Sequence, residues 1–278
     1  MKHIKLLLLV LIVSVSIISC NGGGTKAETD NGSTFDENGA SKAVFSVSPT
    51  KKVRISQGNL QYQASTGTWR FAEEQYGTIG EDNKNISETY DGWIDLFGWG
   101  TSGWNSGAKA YTPTASSTNP DDYLQSDTCM GKYANADWGV YNAISNGGNK
   151  KGMWRVMTTD EWCYLTWERA ESIDHIACKN ITIDGKYNGT IILPDDWTGP
   201  SDLKDTTYTM EQWKQLENLG AVFFPTTGIR NGTTITDLTE TSSYWTTVYH
   251  LIDDVWRGEC PQVNRSEGLA VRLVQDVK

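Results

Sequence analysis

Hydrophobic and polar positions change their pattern several times along the chain. Leu6 through Val13 is an unbroken apolar run, continued by Val15, Ile17 and Ile18. Residues 21–42 are Gly, Asn, Ser, Thr and charge with one aromatic, Phe35. From Val44 the pattern becomes short and alternating. Val44, Phe45 and Val47 lead into Pro49, and Val53, Ile55, Leu60 and Tyr62 follow at near-alternate positions, which predicts strands on both sides of Pro49-Thr50-Lys51. Trp69-Arg70-Phe71, after the turn Ser65-Thr66-Gly67, predicts another. Residues 77–132 read mostly as loop, with Gly92, Gly98, Gly100, Gly103 and Gly107 interleaved among Trp93, Trp99 and Trp104.

Helical spacing follows. Asp137 to Ile144 predicts a short helix ended by Asn146-Gly147-Gly148. Thr158 and Glu161 have capping-box spacing ahead of Trp162, Leu165 and Arg169, with Cys163, Trp167 and Ala170 beside them. Thr209 and Gln212 repeat the device before Met210, Trp213 and Leu216, and Gly220 suits the C-terminal stop. Strands are expected at 180–184 and 189–193 about Asp184-Gly185, then at 221–225, 229–235, 244–249 and 269–275. Two main helices among many short strands and long loops predict an α+β domain.

The apolar start changes the picture. Lys2 and Lys5 precede it, and it ends Ile17-Ile18-Ser19-Cys20. This layout predicts a lipoprotein signal peptide over 1–19, with acylation of Cys20 as the first mature residue. An ordinary export signal with an incidental cysteine, or an uncleaved anchor, is the alternative. Residues 20–43 then read as a flexible lipidated tether, too polar to bury a core, and 44–278 as a single domain. The expected partner of Cys20 is a membrane. The expected location is the cell envelope, at the outer membrane, with its periplasmic or surface-exposed face left open.

Charge and cysteines narrow the partners. Removing 1–19 takes away Lys2 and Lys5 and no acid, so the formal charge of −10 becomes −12. An acidic surface repels phosphate backbones, and nucleic acid is not expected. Cys129, Cys163, Cys178 and Cys260 allow two disulfides in three pairings, or buried thiols. None has C-x-x-C spacing. Twelve tryptophans imply an aromatic core or an aromatic binding face, the core being the more expected.

Three stretches carry a resemblance. Trp154-Arg155-Val156-Met157-Thr158-Thr159-Asp160-Glu161-Trp162 resembles the "W-R-L-P-T-x-x-E-W" signature of the formylglycine-generating, sulfatase-modifying family and of the Fibrobacter succinogenes major paralogous domain family. Gly268 to Val274 resembles their closing "G-F-x-V-R-L-V" strand. Tyr244-Trp245-Thr246-Thr247 is similar to the "Y-W-S-S" strand of the second family, which is the nearer match. The resemblance implies a C-type-lectin-like fold over roughly residues 45–275, in a group common among exported lipoproteins of Bacteroidetes-type bacteria and rich in adhesion or ligand-binding modules. Met157 stands where the signature has proline. The first family's cysteine pair near the closing motif is represented by Cys260 alone, so its oxidase chemistry is not expected here.

Between the second and third motifs, Val248 to Ser266 corresponds to the exposed binding face of some C-type-lectin-like proteins. It supplies Tyr249, His250, Asp253, Trp256, Arg257 and Asn264 as candidate ligand contacts, residue types that combine rigid area with adaptable hydrogen bonds. A solvated loop with an aromatic tucked inward is the plainer reading, and Arg265 is expected to be structural. No catalytic set, metal site or cofactor is expected. Beyond the signal only His175 and His250 remain. The pairs Asp121-Asp122, Asp195-Asp196 and Asp253-Asp254 lack a calcium-loop spacing, and their default role is surface solvation. The expected function is non-enzymatic binding or adhesion, with a glycan or a surface protein as ligand. An enzyme of the formylglycine-generating type, an envelope hydrolase, or a structural part of a surface assembly are the alternatives.

Overall fold

Alternating apolar residues form short strands that pair into two four-stranded sheets. In the computed structural model, described for residues 33–104, 109–111, 123–169, 178–200, 203, 206–239, 242–247, 251–252 and 264–278, the first sheet has the order β1 (Phe45–Ser46), β2 (Lys52–Ile55), β14 (Leu273–Asp276), β5 (Arg155–Val156), every pair antiparallel. The second has the order β8 (Thr207–Tyr208), β6 (Cys178–Ile183), β7 (Tyr187–Ile192), β9 (Val222–Pro225), with only β6 and β8 parallel. Hairpins join β3 (Leu60–Gln63) to β4 (Thr68–Phe71), β10 (Ile229–Asn231) to β11 (Thr234–Thr236), and β12 (Tyr244–Trp245) to β13 (Leu251–Ile252). The domain is α+β.

Strand alternation places the sheets between three apolar clusters. In β14, Leu273 packs with Trp99, Trp138, Trp154 and Trp245, while Val274 packs with Phe45, Val53, Met157 and Trp162. In β9, Phe224 belongs to that second cluster and Phe223 to a third, with Ile181, Ile191, Trp213 and Leu216. Successive side chains point to opposite faces, so a one-residue slip in either strand would exchange two cores.

Both expected capping boxes are present. Thr158 and Glu161 close one at the start of α2 (Thr159–Cys163), and Thr209 and Gln212 the other at the start of α3 (Met210–Asn218). Gly220 ends α3 with φ +95°, where only glycine is unstrained. Two helices depart from expectation. The one begun at Asp137 is a single turn, α1 (Trp138–Tyr141), because Asn142 is extended and returns its amide to the Trp138 carbonyl at 3.1 Å. Past Cys163, α2 widens into one π turn, Tyr164–Glu168, and Trp167 stands 48% exposed while Trp162 and Leu165 are buried.

Packing also begins earlier than expected. The tether was expected to reach residue 43, yet Phe35 bridges Ser41 and Ala40 bridges Ser56. Asp36 accepts from the amides of Asn38 and Ala40, at 2.9 and 3.0 Å, and this Asx turn delivers Ala40 into the first cluster. Only 20–32 remain for a tether, and they lie outside the described residues.

The tryptophans serve mainly as core. Among the described residues seven are buried: Trp69, Trp99, Trp138, Trp154, Trp162, Trp213 and Trp245. Ring N–H groups of Trp99, Trp154 and Trp245 reach the carbonyls of Ser126, Gly147 and Phe97. Those of Trp138, Trp162 and Trp213 are buried without a hydrogen-bond partner. Trp93 lies under the Arg70 guanidinium at 3.8 Å, and Trp104 meets Tyr133 edge-on. With Trp99 interior, Trp93, Trp99 and Trp104 do not form one exposed aromatic face.

Two buried carboxyls hold loops in place. Asp95 accepts from Asn83 Nδ2 at 2.7 Å and from the Ile79 amide at 3.0 Å, closing part of the long loop on itself. Asp137 accepts from the amides of Gly139, Val140 and Val156, at 2.8, 3.4 and 2.9 Å. Burial pushes each up from the ordinary 3.8 to about 6, against those hydrogen bonds. Between those two values the folded chain binds more protons than the unfolded one, so these groups make stability rise as pH falls through 6, a gain that is complete below about 4 and is lost as pH rises through 6. The Arg155 guanidinium holds Asp276 below its ordinary value, so that contact is lost only at still lower pH. Urea unfolding is therefore expected to show the protein more stable at pH 5 than at pH 7, by about 2 kcal/mol from the pair. Asp95→Asn with Asp137→Asn should flatten that slope; a wild type whose stability falls between pH 7 and 5 would show these carboxyls ionised in the fold.

Candidate functional site

The stretch Trp154–Trp162 closes upon itself. Trp154 is buried against Gly139, where an added Cβ would come within 2.7 Å of the Trp154 backbone. Arg155 donates through Nη1 and Nη2 to the two Glu161 carboxylate oxygens, at 2.6 and 2.9 Å. It also reaches Asp276, through Nη2 at 2.6 Å and Nε at 3.1 Å. Glu161 Oε2 accepts the Thr158 amide at 2.9 Å, and Thr158 Oγ1 accepts the Glu161 amide at 3.1 Å. Burial alone would lower the Arg155 pKa, but the two carboxylates raise it above its ordinary value. In the closing stretch Arg272 is buried, donates to Asn59 Oδ1 and Gln75 Oε1 at 3.2 and 3.3 Å, and lies 5.2 Å from the Phe224 ring centre. Arg155 and Glu161 of the resembling motifs thus pair with each other, and Arg272 is held on neutral side chains.

Among the clefts that the described residues line, three stand out. One of about 530 Å³ runs past Arg155, Glu161, Cys129, Met130 and Thr247. A second of about 790 Å³ adjoins it, sharing Lys51, Met130, Thr158, Glu161 and Thr247 and continuing along Asp160, Tyr164 and Glu168. Cys129 on the first is a buried thiol whose pKa is pushed well up by burial and by Asp137, which keeps it protonated and a poor nucleophile. The third cleft, about 570 Å³, is lined by Tyr62, Tyr111, Tyr141, Glu88, Lys109 and Asn142 among others. Tyr62 leans on Trp69, ring centres 4.4 Å apart, and Lys151 Nζ lies 4.4 Å from the Tyr141 ring centre. The Tyr111 hydroxyl donates to Glu88 at 3.4 Å.

Of the expected ligand contacts, Asn264 alone is described. It is exposed and its Nδ2 donates to Glu267 at 3.2 Å. Tyr249, His250, Asp253, Trp256 and Arg257 lie outside the described residues, as do Cys20, His175 and Cys260. Arg265 is structural, as expected: it bonds the carbonyls of Leu124 and Ser126 at 2.8 and 2.9 Å and pairs with Asp127. Asp195, expected as surface solvation, is paired with Lys52 and Arg169 and accepts from Ser46. Among the described residues no group of three or more His, Cys, Asp or Glu could hold a metal ion. The tyrosine cleft was not anticipated. Its residues come from five separate segments, and no local pattern joins them.

Comparison with family models, with curated proteins and with solved structures finds no match for the chain.

Glu161 has two jobs, neutralising Arg155 and capping α2, whereas Asp276 is 60% exposed. Glu161→Gln is expected to cost about 2–4 kcal/mol of stability in urea unfolding, since it takes a carboxylate from a largely buried guanidinium. Asp276→Asn should cost about 0–1 kcal/mol, the range of a solvated pair. Equal losses would mean that Arg155 rests on both carboxylates alike.

Proposed function

We propose that the protein is a cell-envelope lipoprotein, acylated at Cys20, whose C-type-lectin-like body binds a ligand without turning it over. One observation carries this reading: the side chains that resemble the family signature, Trp154, Arg155, Thr158, Glu161, Trp162 and Arg272, are paired or packed inside the frame. They build a scaffold and leave surface clefts for recognition. Support for the lectin-like fold comes from the closing strand β14, seated between β2 and β5, from the two capped helices, and from the long loops packed on their own side chains. Support for the anchor comes from the Lys2–Lys5 flank, the apolar run and Ser19-Cys20. Acyl chains at Cys20 would hold the body at a membrane surface, each buried methylene contributing about 0.8 kcal/mol.

The test has two parts. Cells fed an alkynyl palmitate should label the wild type and release it only with detergent; Cys20→Ser should lose the label and the membrane fraction together. The full-length protein should also retain at least one member of a panel of glycans and host-matrix proteins. Labelling that survives Cys20→Ser contradicts the anchor, and silence across the whole panel contradicts the binding role.

A further inference from the structure

The cleft between Tyr62, Tyr111 and Tyr141 combines features that the other two lack. Three phenol rings line it, with a carboxylate, an ammonium and a carboxamide among them. Its hydrogen-bonding groups are held but not consumed. Asn142 commits Nδ2 to the carbonyls of Ser102 and Trp138, at 2.9 and 3.1 Å, which fixes the side chain and leaves Oδ1 as an open acceptor. Glu88 uses one oxygen on the Tyr111 hydroxyl and keeps the other. The hydroxyls of Tyr62 and Tyr141 make no hydrogen bond within the described residues. Tyr62 is braced by its contact with Trp69, and α1 carries Tyr141, so two rings stand on ordered elements.

Such a surface matches one ligand chemistry. Ring faces suit an apolar C–H surface, and the open acceptors beside them suit several hydroxyl donors on the same molecule. A sugar ring offers both at once. Among the lining residues one acid, Glu88, balances one base, Lys109, and Lys151 is engaged on the ring of Tyr141. The volume of about 570 Å³ has room for more than one sugar ring. We propose that this cleft binds a neutral oligosaccharide, its sugar faces against Tyr62, Tyr111 and Tyr141 and its hydroxyls on Glu88 and Asn142. The assignment rests on the reading of the body as a ligand-binding module.

Full-length protein in a detergent without sugar headgroups is applied to an array. The probes are neutral tri- to hexasaccharides built on glucose, mannose, galactose and N-acetylglucosamine, alongside sialylated and sulfated glycans and matrix-protein peptides. Saturable binding of at least one neutral oligosaccharide is expected, weakened about tenfold or more by Tyr111→Ala and by Glu88→Ala, the scale of a contact at the centre of a binding site. Melting temperature confirms that each variant is folded. Should Tyr111→Ala fail to fold, saturation transfer from tyrosine ring protons to sugar C–H protons in the wild type gives the same decision. Neutral-glycan binding that survives both substitutions overturns the cleft and leaves the module reading intact. Binding confined to acidic glycans or peptides overturns the ligand class. Silence on every probe overturns the assignment and the module reading together.

Discussion

Arg155 is the side chain on which the frame closes. Its side chain is about four-fifths out of solvent, and a charge so placed must be matched. Glu161 matches it with two parallel hydrogen bonds and also caps α2, while Asp276 brings in the end of β14. One cation therefore joins an edge strand, a helix start and the last strand of the chain. Trp154 on one side of it belongs to the first apolar cluster and Trp162 on the other to the second. The nine residues from Trp154 to Trp162 work as a splice between two cores. That explains why a motif so dense in reactive side chain types makes a scaffold: Arg155, Thr158 and Glu161 bond to one another.

Local devices were legible in the sequence and non-local ones were not. The capping boxes at Thr158 and Thr209 and the stop at Gly220 depend on residues within one or two turns, and all three are present. The alternation of Val53 and Ile55, and the turn at Asp184-Gly185, likewise placed strands. Adjacent apolar pairs such as Leu273-Val274 and Phe223-Phe224 announced burial but not that their members enter different clusters. The segment from Phe35 to Ser41 is polar enough to pass for tether. It packs because Asp36 supplies a turn and Ala40 is small enough to enter the core. The widening of α2 at Tyr164 had no signal in composition.

The division of labour among aromatics has a physical basis. Tryptophan contributes most area when buried, and seven of the eleven among the described residues are used so. Tyrosine keeps a polar tip, and Tyr62, Tyr111 and Tyr141 stand half-buried at a cleft where that tip can meet a ligand. Val248–Ser266 was the candidate recognition surface, and most of it lies outside the described residues. Tyr62, Tyr111 and Tyr141 add a cleft formed by a hairpin, a one-turn helix and loops, a grouping visible only after folding.

The signature residues build a frame, and the proposed recognition surface lies apart from them. Hydrogen exchange of the full-length protein, with and without a saturating neutral oligosaccharide drawn from those it retains, tests that separation most directly. Added protection is expected in 60–64, 87–91, 109–111 and 138–142, with 154–162 equally protected in both states. Protection that appears first along 154–162 and 128–131 would place the ligand on the signature itself and contradict the account.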